Sequence, residues 1–317
     1  MDNADLSPGA AVFPPAGRRF YKYDALGNDY IVLDPADWPE PPTTVTIRRI
    51  CDRHHGVGAD GILWGPTLQD SDSPAYAHAD VPAFALRLFN PDGGEFEKSG
   101  NGLRIFAHYL WDRRLPSGPD FAILTPGGLV TAHVLDAQGT HIAMDMGQLS
   151  FLSADLGMAG PAREVVDEEV TVAGLRLRIV AVTIGNPHCV VFTDAQAPEA
   201  QVEMGGLSAE LAHRLGPDLE HLTLYPNRTN VQFAQVVDPH TLRIEIWERG
   251  AAYTLASGTS SCAAAGAAIR TCRCVSPVTV QMPGGEMRVE VAPDWSVRLT
   301  GTVEFVCSGE VAVMRDA

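Results

Sequence analysis

Nothing in this 317-residue chain is apolar for long enough to span a bilayer, which takes about 20 such residues in a row. Nor does the start, Met1-Asp2-Asn3-Ala4-Asp5, hold a basic stretch leading into an apolar one. No membrane partner is expected, and the expected location is cytoplasmic. Positive charge is scarce as well: 23 Lys and Arg face 39 Asp and Glu, for a net charge of −16. Binding phosphates takes Lys and Arg in clusters, and their absence excludes a nucleic-acid surface. The six cysteines, Cys51, Cys189, Cys262, Cys272, Cys274 and Cys307, follow neither a disulfide framework nor zinc-ligand spacing. They stand in apolar or strand-like surroundings and are expected to be buried free thiols, with no metal site. His54 and His55 adjoin a helix end, where a cation beside the negative end of the dipole accounts for them without a metal.

What is present has the apolar content of a globular protein, in a length comfortable for two cores. Residues 1–17, rich in Pro, Ala and Gly, read as a flexible leader. Residues 35–42, with four prolines, and residues 69–82 read as surface loops. Between them 45–54 predicts a short helix, with Ile47, Ile50 and Cys51 on one face and Gly56 as its stop.

The most informative feature is a pair of Gly-rich turns, Lys98-Ser99-Gly100-Asn101-Gly102 and Ala256-Ser257-Gly258-Thr259-Ser260, each opening an apolar helix. Asn28 precedes Ser99 by 71 residues, and Asn186 precedes Ser257 by the same 71. Thr125-Pro126-Gly127-Gly128 follows the first serine much as Met282-Pro283-Gly284-Gly285 follows the second. An interval shared over that distance indicates an internal duplication. Before each serine runs an alternating strand, with Leu86 and Leu88 in one half and Ile244 and Ile246 in the other. Asn90 and Glu248 then occupy equivalent places. After the first turn Leu103, Phe106, Ala107 and Leu110 predict a helix with one apolar face. The second helix, from Cys262 to Ile269, is small and apolar on every side and is expected to be buried inside a sheet. Residues 278–282, 286–291 and 296–299 read as strands. The fold class expected is α+β, with two pseudo-symmetric domains, each a curved mixed β-sheet around a central helix. Residues 18–146 with 302–317 are expected to form the first domain and 147–301 the second, with the active site in the cleft between them.

The ordered segments Ala25-Leu26-Gly27-Asn28-Asp29-Tyr30, Asp52-Arg53-His54-His55-Gly56-Val57-Gly58-Ala59-Asp60-Gly61, Phe89-Asn90-Pro91-Asp92-Gly93, Ser99-Gly100-Asn101-Gly102, Gly185-Asn186-Pro187-His188-Cys189, Arg228-Thr229-Asn230-Val231 and Glu248-Arg249-Gly250-Ala251 closely resemble the diaminopimelate epimerases. These belong to the amino-acid racemases and epimerases that work without pyridoxal phosphate. The resemblance covers nearly the whole chain after residue 17. It implies no cofactor, a small-molecule amino-acid substrate and, as in many relatives, a homodimer. In the family one cysteine thiolate removes the α-proton while a second thiol reprotonates the opposite face. This chain has Ser99 and Ser257 at those two positions.

The resemblance places His188 and Glu248 beside the proton-transfer positions, as groups that could activate the serines, a water or the substrate. It places the α-carboxylate on the backbone amides around Gly100-Asn101 and Gly258-Thr259, which suits helix N-termini. It makes Asn28, Asn90, Asn186, Asn230 and Arg249 substrate contacts, with Arg249 the partner of a distal carboxylate. Some relatives have a substrate-contacting glutamine where this chain has Gly61. Read locally, both serines are favoured helix N-caps, Gly-Asn is a turn pair, and Glu248 with Arg249 is a solvated charge pair. Four functions therefore stay open. They are a diaminopimelate epimerase, a racemase or dehydratase acting on another amino acid, a binder without turnover, and a deliberate Cys→Ser pair that traps substrate.

Overall fold

A computed structural model of the chain describes residues 17–67 and 83–312. The expected 69–82 loop and all but the last residue of the expected leader lie outside the described residues. In the first half come β1 (Arg18–Ala25), β2 (Asn28–Leu33), α1 (Thr44–Cys51), β3 (Gly61–Thr67), β4 (Ala83–Phe89), β5 (Glu95–Phe96), α2 (Gly100–Asp112), β6 (Asp120–Thr125), β7 (Gly128–Val134) and β8 (His141–Gln148). The second half holds β9 (Glu168–Val172), β10 (Leu175–Thr183), β11 (Pro187–Phe192), α3 (Pro198–Met204), α4 (Ala209–Glu220), β12 (Asn230–Asp238), β13 (Thr241–Glu248), β14 (Ala252–Thr254) and α5 (Gly258–Arg270). It closes with β15 (Val278–Met282), β16 (Gly285–Val291), β17 (Ser296–Thr302) and β18 (Glu304–Val311).

The strand pairings repeat from half to half. β2 runs parallel to β3 and β4 to β6; in the second half β11 runs parallel to β12 and β13 to β15. Even the register recurs, Leu88 facing Phe96 where Ile246 faces Thr254. β8 and β17, the corresponding last strands, pair antiparallel with each other and join the halves in one mixed sheet. β18 pairs with β1, as β9 pairs with β10. The molecule is thus α+β, built from two pseudo-symmetric halves around α2 and α5.

One core cluster runs through both halves and encloses both central helices, while two smaller clusters lie under α1 and under α3 with α4. α5 is buried from Ser260 to Ala268, as its small residues predicted. α2 differs from the single apolar face expected of it. Gly100 to Leu110 are all buried, Arg104 and His108 included, because the surrounding sheet covers every side.

Three further local readings change. α1 ends at Cys51, short of His54, because Asp52 leaves the helical region and its Oδ1 accepts the amides of both His54 and His55 at 2.7 Å. The 35–42 loop is not wholly on the surface: Trp38 is 1% exposed, with its indole donating to the Arg19 carbonyl. Four cysteines are buried as expected, but Cys272, beyond α5, and Cys307, on the solvent-exposed β18, are exposed. No helix among the described residues is long and apolar enough to cross a membrane.

Candidate active site

Between the two halves lies a cavity of about 740 Å³ that gathers all the residues singled out in the sequence except His188. Its floor is made by two helix starts. Ser99 caps α2, its Oγ accepting the Gly102 amide at 3.1 Å, and Ser257 caps α5, its Oγ accepting the Ser260 amide at 3.4 Å. Gly100 and Gly258, the first residues of the helices, nearly touch. A Cβ added to Gly100 would lie 3.6 Å from the Gly258 Cα, in van der Waals contact with it. Two sets of unpaired amides and two positive dipole ends therefore face one volume, an arrangement that favours an anion.

Arg104 reinforces that potential from below. Its side chain is fully buried one turn into α2 and donates Nη2 to Asn101 Oδ1 at 2.7 Å and Nη1 to the Gly100 carbonyl at 3.3 Å. It has no carboxylate partner among the described residues, and burial lowers its pKa to about 10. Lys98, on the cavity wall, is also shifted down by burial.

From Arg104 a chain of hydrogen bonds reaches the first asparagine. Asn101 Nδ2 donates to Asn28 Oδ1 at 3.0 Å, and Asn28 Nδ2 donates to Asp60 Oδ2 at 2.9 Å, which fixes the Asn28 amide. Gly27 and Gly185, at φ of 83° and 102°, open the Asn28 and Asn186 turns in a conformation that favours glycine. Asn230 spends its amide on the backbone, accepting from the Arg249 amide at 2.9 Å and donating to the Pro187 carbonyl at 3.1 Å. It ties the Arg249 turn to β11. Glu220 holds the same turn from the other side, accepting from the Gly250 amide and from Trp247 Nε1. Arg249 is exposed and touches the Asn227 carbonyl at 3.1 Å, which leaves donors facing the cavity. Asn90 and Thr259 complete the wall.

Glu248, at the end of β13, has its carboxyl shifted upward by burial, with hydrogen bonding to Ser257 acting in the opposite direction. His188 stands behind the wall. It is fully buried, its Nε2 lies 3.0 Å from Asn186 Oδ1, and burial takes its pKa down to about 3, so the ring is neutral. Its Nδ1 has no partner among the described residues.

Tyr30, Asp60, Lys98 and Arg104 line or underlie the cavity without having been picked out from the sequence. A signal existed for two of them. Tyr30 shares a strand face with Asn28 by alternation, and Arg104 is a lone charge within an otherwise apolar helical run.

A cleft with a double helix-start anion site, paired hydroxyls and one desolvated carboxyl suits proton transfer at a carbon next to a carboxylate. The profile of the family described as diaminopimelate epimerase matches residues 20–152 and 180–306. The chain belongs to the diaminopimelate epimerase family. It is 45% identical over 294 residues to diaminopimelate epimerase 2 of a Nostoc species, covering 93% of this chain and 95% of that one. It is 39% identical to the diaminopimelate epimerase of a Synechococcus species, over 94% and 99% of the two chains. Among solved structures, a hydroxyproline epimerase from Agrobacterium vitis matches 94% of this chain and 93% of its own, at a TM-score of 0.63 and 15% identity. A PhzF-family phenazine biosynthesis protein from Bacillus anthracis matches 93% of this chain and 99% of its own, with a TM-score of 0.61 at 17% identity. These two share the fold. As a diaminopimelate epimerase family member the chain is an isomerase of the epimerase type.

Proposed function

We propose that this chain converts LL-diaminopimelate to the meso form without a cofactor, using Ser99 and Ser257 with their neighbours in place of two thiols. The observation that carries this reading is Glu248, a desolvated carboxyl sharing one cavity with both serines and both helix starts. The α-carboxylate rests on the amides of Gly100-Asn101 and Gly258-Thr259 above Arg104, where charge developing at the α-carbon and its carboxylate is stabilised. Asn28, Asn90, Asn186 and Asn230 frame the substrate, and Arg249 takes the distal carboxylate. A serine anion is out of reach near neutral pH, so the α-proton ends on Glu248, directly or across the Ser257 hydroxyl. His188, neutral and behind the wall, orients Asn186. The proposed setting is cytoplasmic lysine and peptidoglycan synthesis, with a homodimer as the assembly.

One observation favours a second reading. Both serine hydroxyls already accept a helix amide, as in a cleft that binds an amino acid without turning it over. Restoring the thiols separates the two. Ser99→Cys with Ser257→Cys is expected to raise epimerisation of LL-diaminopimelate at least about tenfold, because a thiol ionises near ~8.5. No gain in rate, with substrate still bound, would contradict the assignment of these positions to proton transfer.

A further inference from the structure

Counterparts in the two halves stand 158 residues apart: Asn28 and Asn186, Asn90 and Glu248, Ser99 and Ser257. The same interval joins Tyr30 to His188. Each lies in the parallel pairing just after its Gly-Asn turn, Tyr30 opposite Gly61 and His188 opposite Asn230. The two counterparts differ in what they face. His188 is sealed behind Asn186, whereas Tyr30 lines the cavity and its hydroxyl donates to Ser99 Oγ at 3.5 Å.

We propose that Tyr30 is the proton source and positioning residue of the Ser99 face, making that face the donor and the Ser257–Glu248 face the acceptor. A hydroxyl has one proton and two lone pairs. At Ser99 one lone pair takes the Gly102 amide and the other takes the Tyr30 hydroxyl, so the Ser99 proton is left to point into the cavity. At Ser257 one lone pair takes the Ser260 amide, and Glu248, which lines the same cavity, can only accept in its base form, so the Ser257 proton then points to Glu248. The 3.5 Å contact is long, as catalytic hydrogen bonds often are before substrate closes the site. Burial pushes the Tyr30 phenol up to about 12, which keeps it protonated through the neutral range.

Gly61 makes the arrangement possible. A Cβ there would lie 2.6 Å from Tyr30 Cε1 and 2.7 Å from the Phe89 carbonyl oxygen, so a side chain at 61 and the present ring position exclude each other. Where some relatives have a glutamine, the tyrosine ring and the Phe89 carbonyl here leave room only for glycine.

The step balances in protons. The substrate Cα–H bond breaks, its proton passes to Ser257 Oγ, and the Ser257 proton passes to Glu248. On the other face the Ser99 proton forms the new Cα–H bond, the Tyr30 proton replaces it on Ser99, and a phenolate remains. Exchange with water returns Glu248 and Tyr30 to their starting states.

The proposal rests on the epimerase reading, and Tyr30→Phe tests it in heavy water with LL-diaminopimelate. In this variant α-proton exchange is expected to stay within about threefold of the unmodified protein, while inversion falls about a hundredfold and substrate affinity is unchanged. Exchange and inversion falling together, neither falling, or loss of substrate binding would overturn it, since each is what a packing role or no role produces. If the unmodified protein neither exchanges nor inverts, the epimerase reading itself fails. The donor contact is then decided without substrate. In protein labelled with ¹³Cζ-tyrosine, the Tyr30 signal, assigned by its loss in Tyr30→Phe, is expected to move in Ser99→Ala, and an unmoved signal overturns the proposal.

Discussion

A serine oxygen yields its proton far less readily than a cysteine sulfur, so chemistry at positions 99 and 257 has to lean on neighbouring groups. In the proposed reaction Glu248 carries most of that burden. Its carboxyl sits above the ordinary range because it is desolvated, and its base form therefore appears at higher pH than that of a free glutamate near ~4.3. Between the unfolded and folded values the folded state holds more protons than the unfolded one, so this group's contribution to stability falls as pH rises through that window. Glu248→Gln keeps the shape and removes the desolvated charge. It is expected to cut α-proton exchange by about 10² to 10⁴, to abolish the acid limb of the pH–rate profile, and to leave the pH 7 urea midpoint unchanged or higher. Retained exchange would move the base elsewhere. The place of Glu248 was legible in the sequence because it repeats that of Asn90, while the acid-base role came from the family resemblance. The burial of His188 and Arg104 was not legible. Spacing along a strand or helix fixes which face a residue takes, but it does not reveal that strands from both halves close over that face.

At the level of elements, the site depends on how β13 and its turn are held. Trp247, next to Glu248, lies flat against α4 because Gly216 has no side chain. A Cβ there would fall 2.6 Å from the indole Cγ. Gly216→Ala sets two effects against each other. Helix propensity favours alanine by about 1 kcal/mol, and forcing a rigid ring out of a packed seat costs about 1–3 kcal/mol. The second effect is expected to win, giving a lower urea midpoint and a weaker substrate affinity as the Glu248-Arg249-Gly250 turn shifts. An unchanged midpoint would mean that Trp247 is free to move. Elements with a strict period were read closely. The β15 strand spans the residues its alternation indicated, and α5 is buried as its small residues required. The end of α1 was missed because Asp52 captures the following amides, a side-chain competition that overrides a later glycine.

Over the whole molecule, duplication is what made the fold readable. Two serines and two Gly-Asn turns at matching intervals, with two Pro-Gly-Gly hairpins one residue off the same match, define two equivalent halves, and equivalent halves place their helix starts against each other. The antiparallel seam between β8 and β17 brings those starts together, with the single large core running across it. The asymmetry laid on this frame carries the chemistry. Asn90 has Glu248 as its counterpart and Tyr30 has His188, and in the proposed reaction the halves share an anion site and differ in what they do with a proton.

The central question is whether hydroxyls with such neighbours turn substrate over. The direct measurement incubates the unmodified protein with LL-diaminopimelate in heavy water and follows the α-carbons by NMR with chiral separation of the products. Meso-diaminopimelate carrying deuterium at the inverted α-carbon is expected. Recovery of bound but wholly undeuterated LL substrate would contradict it.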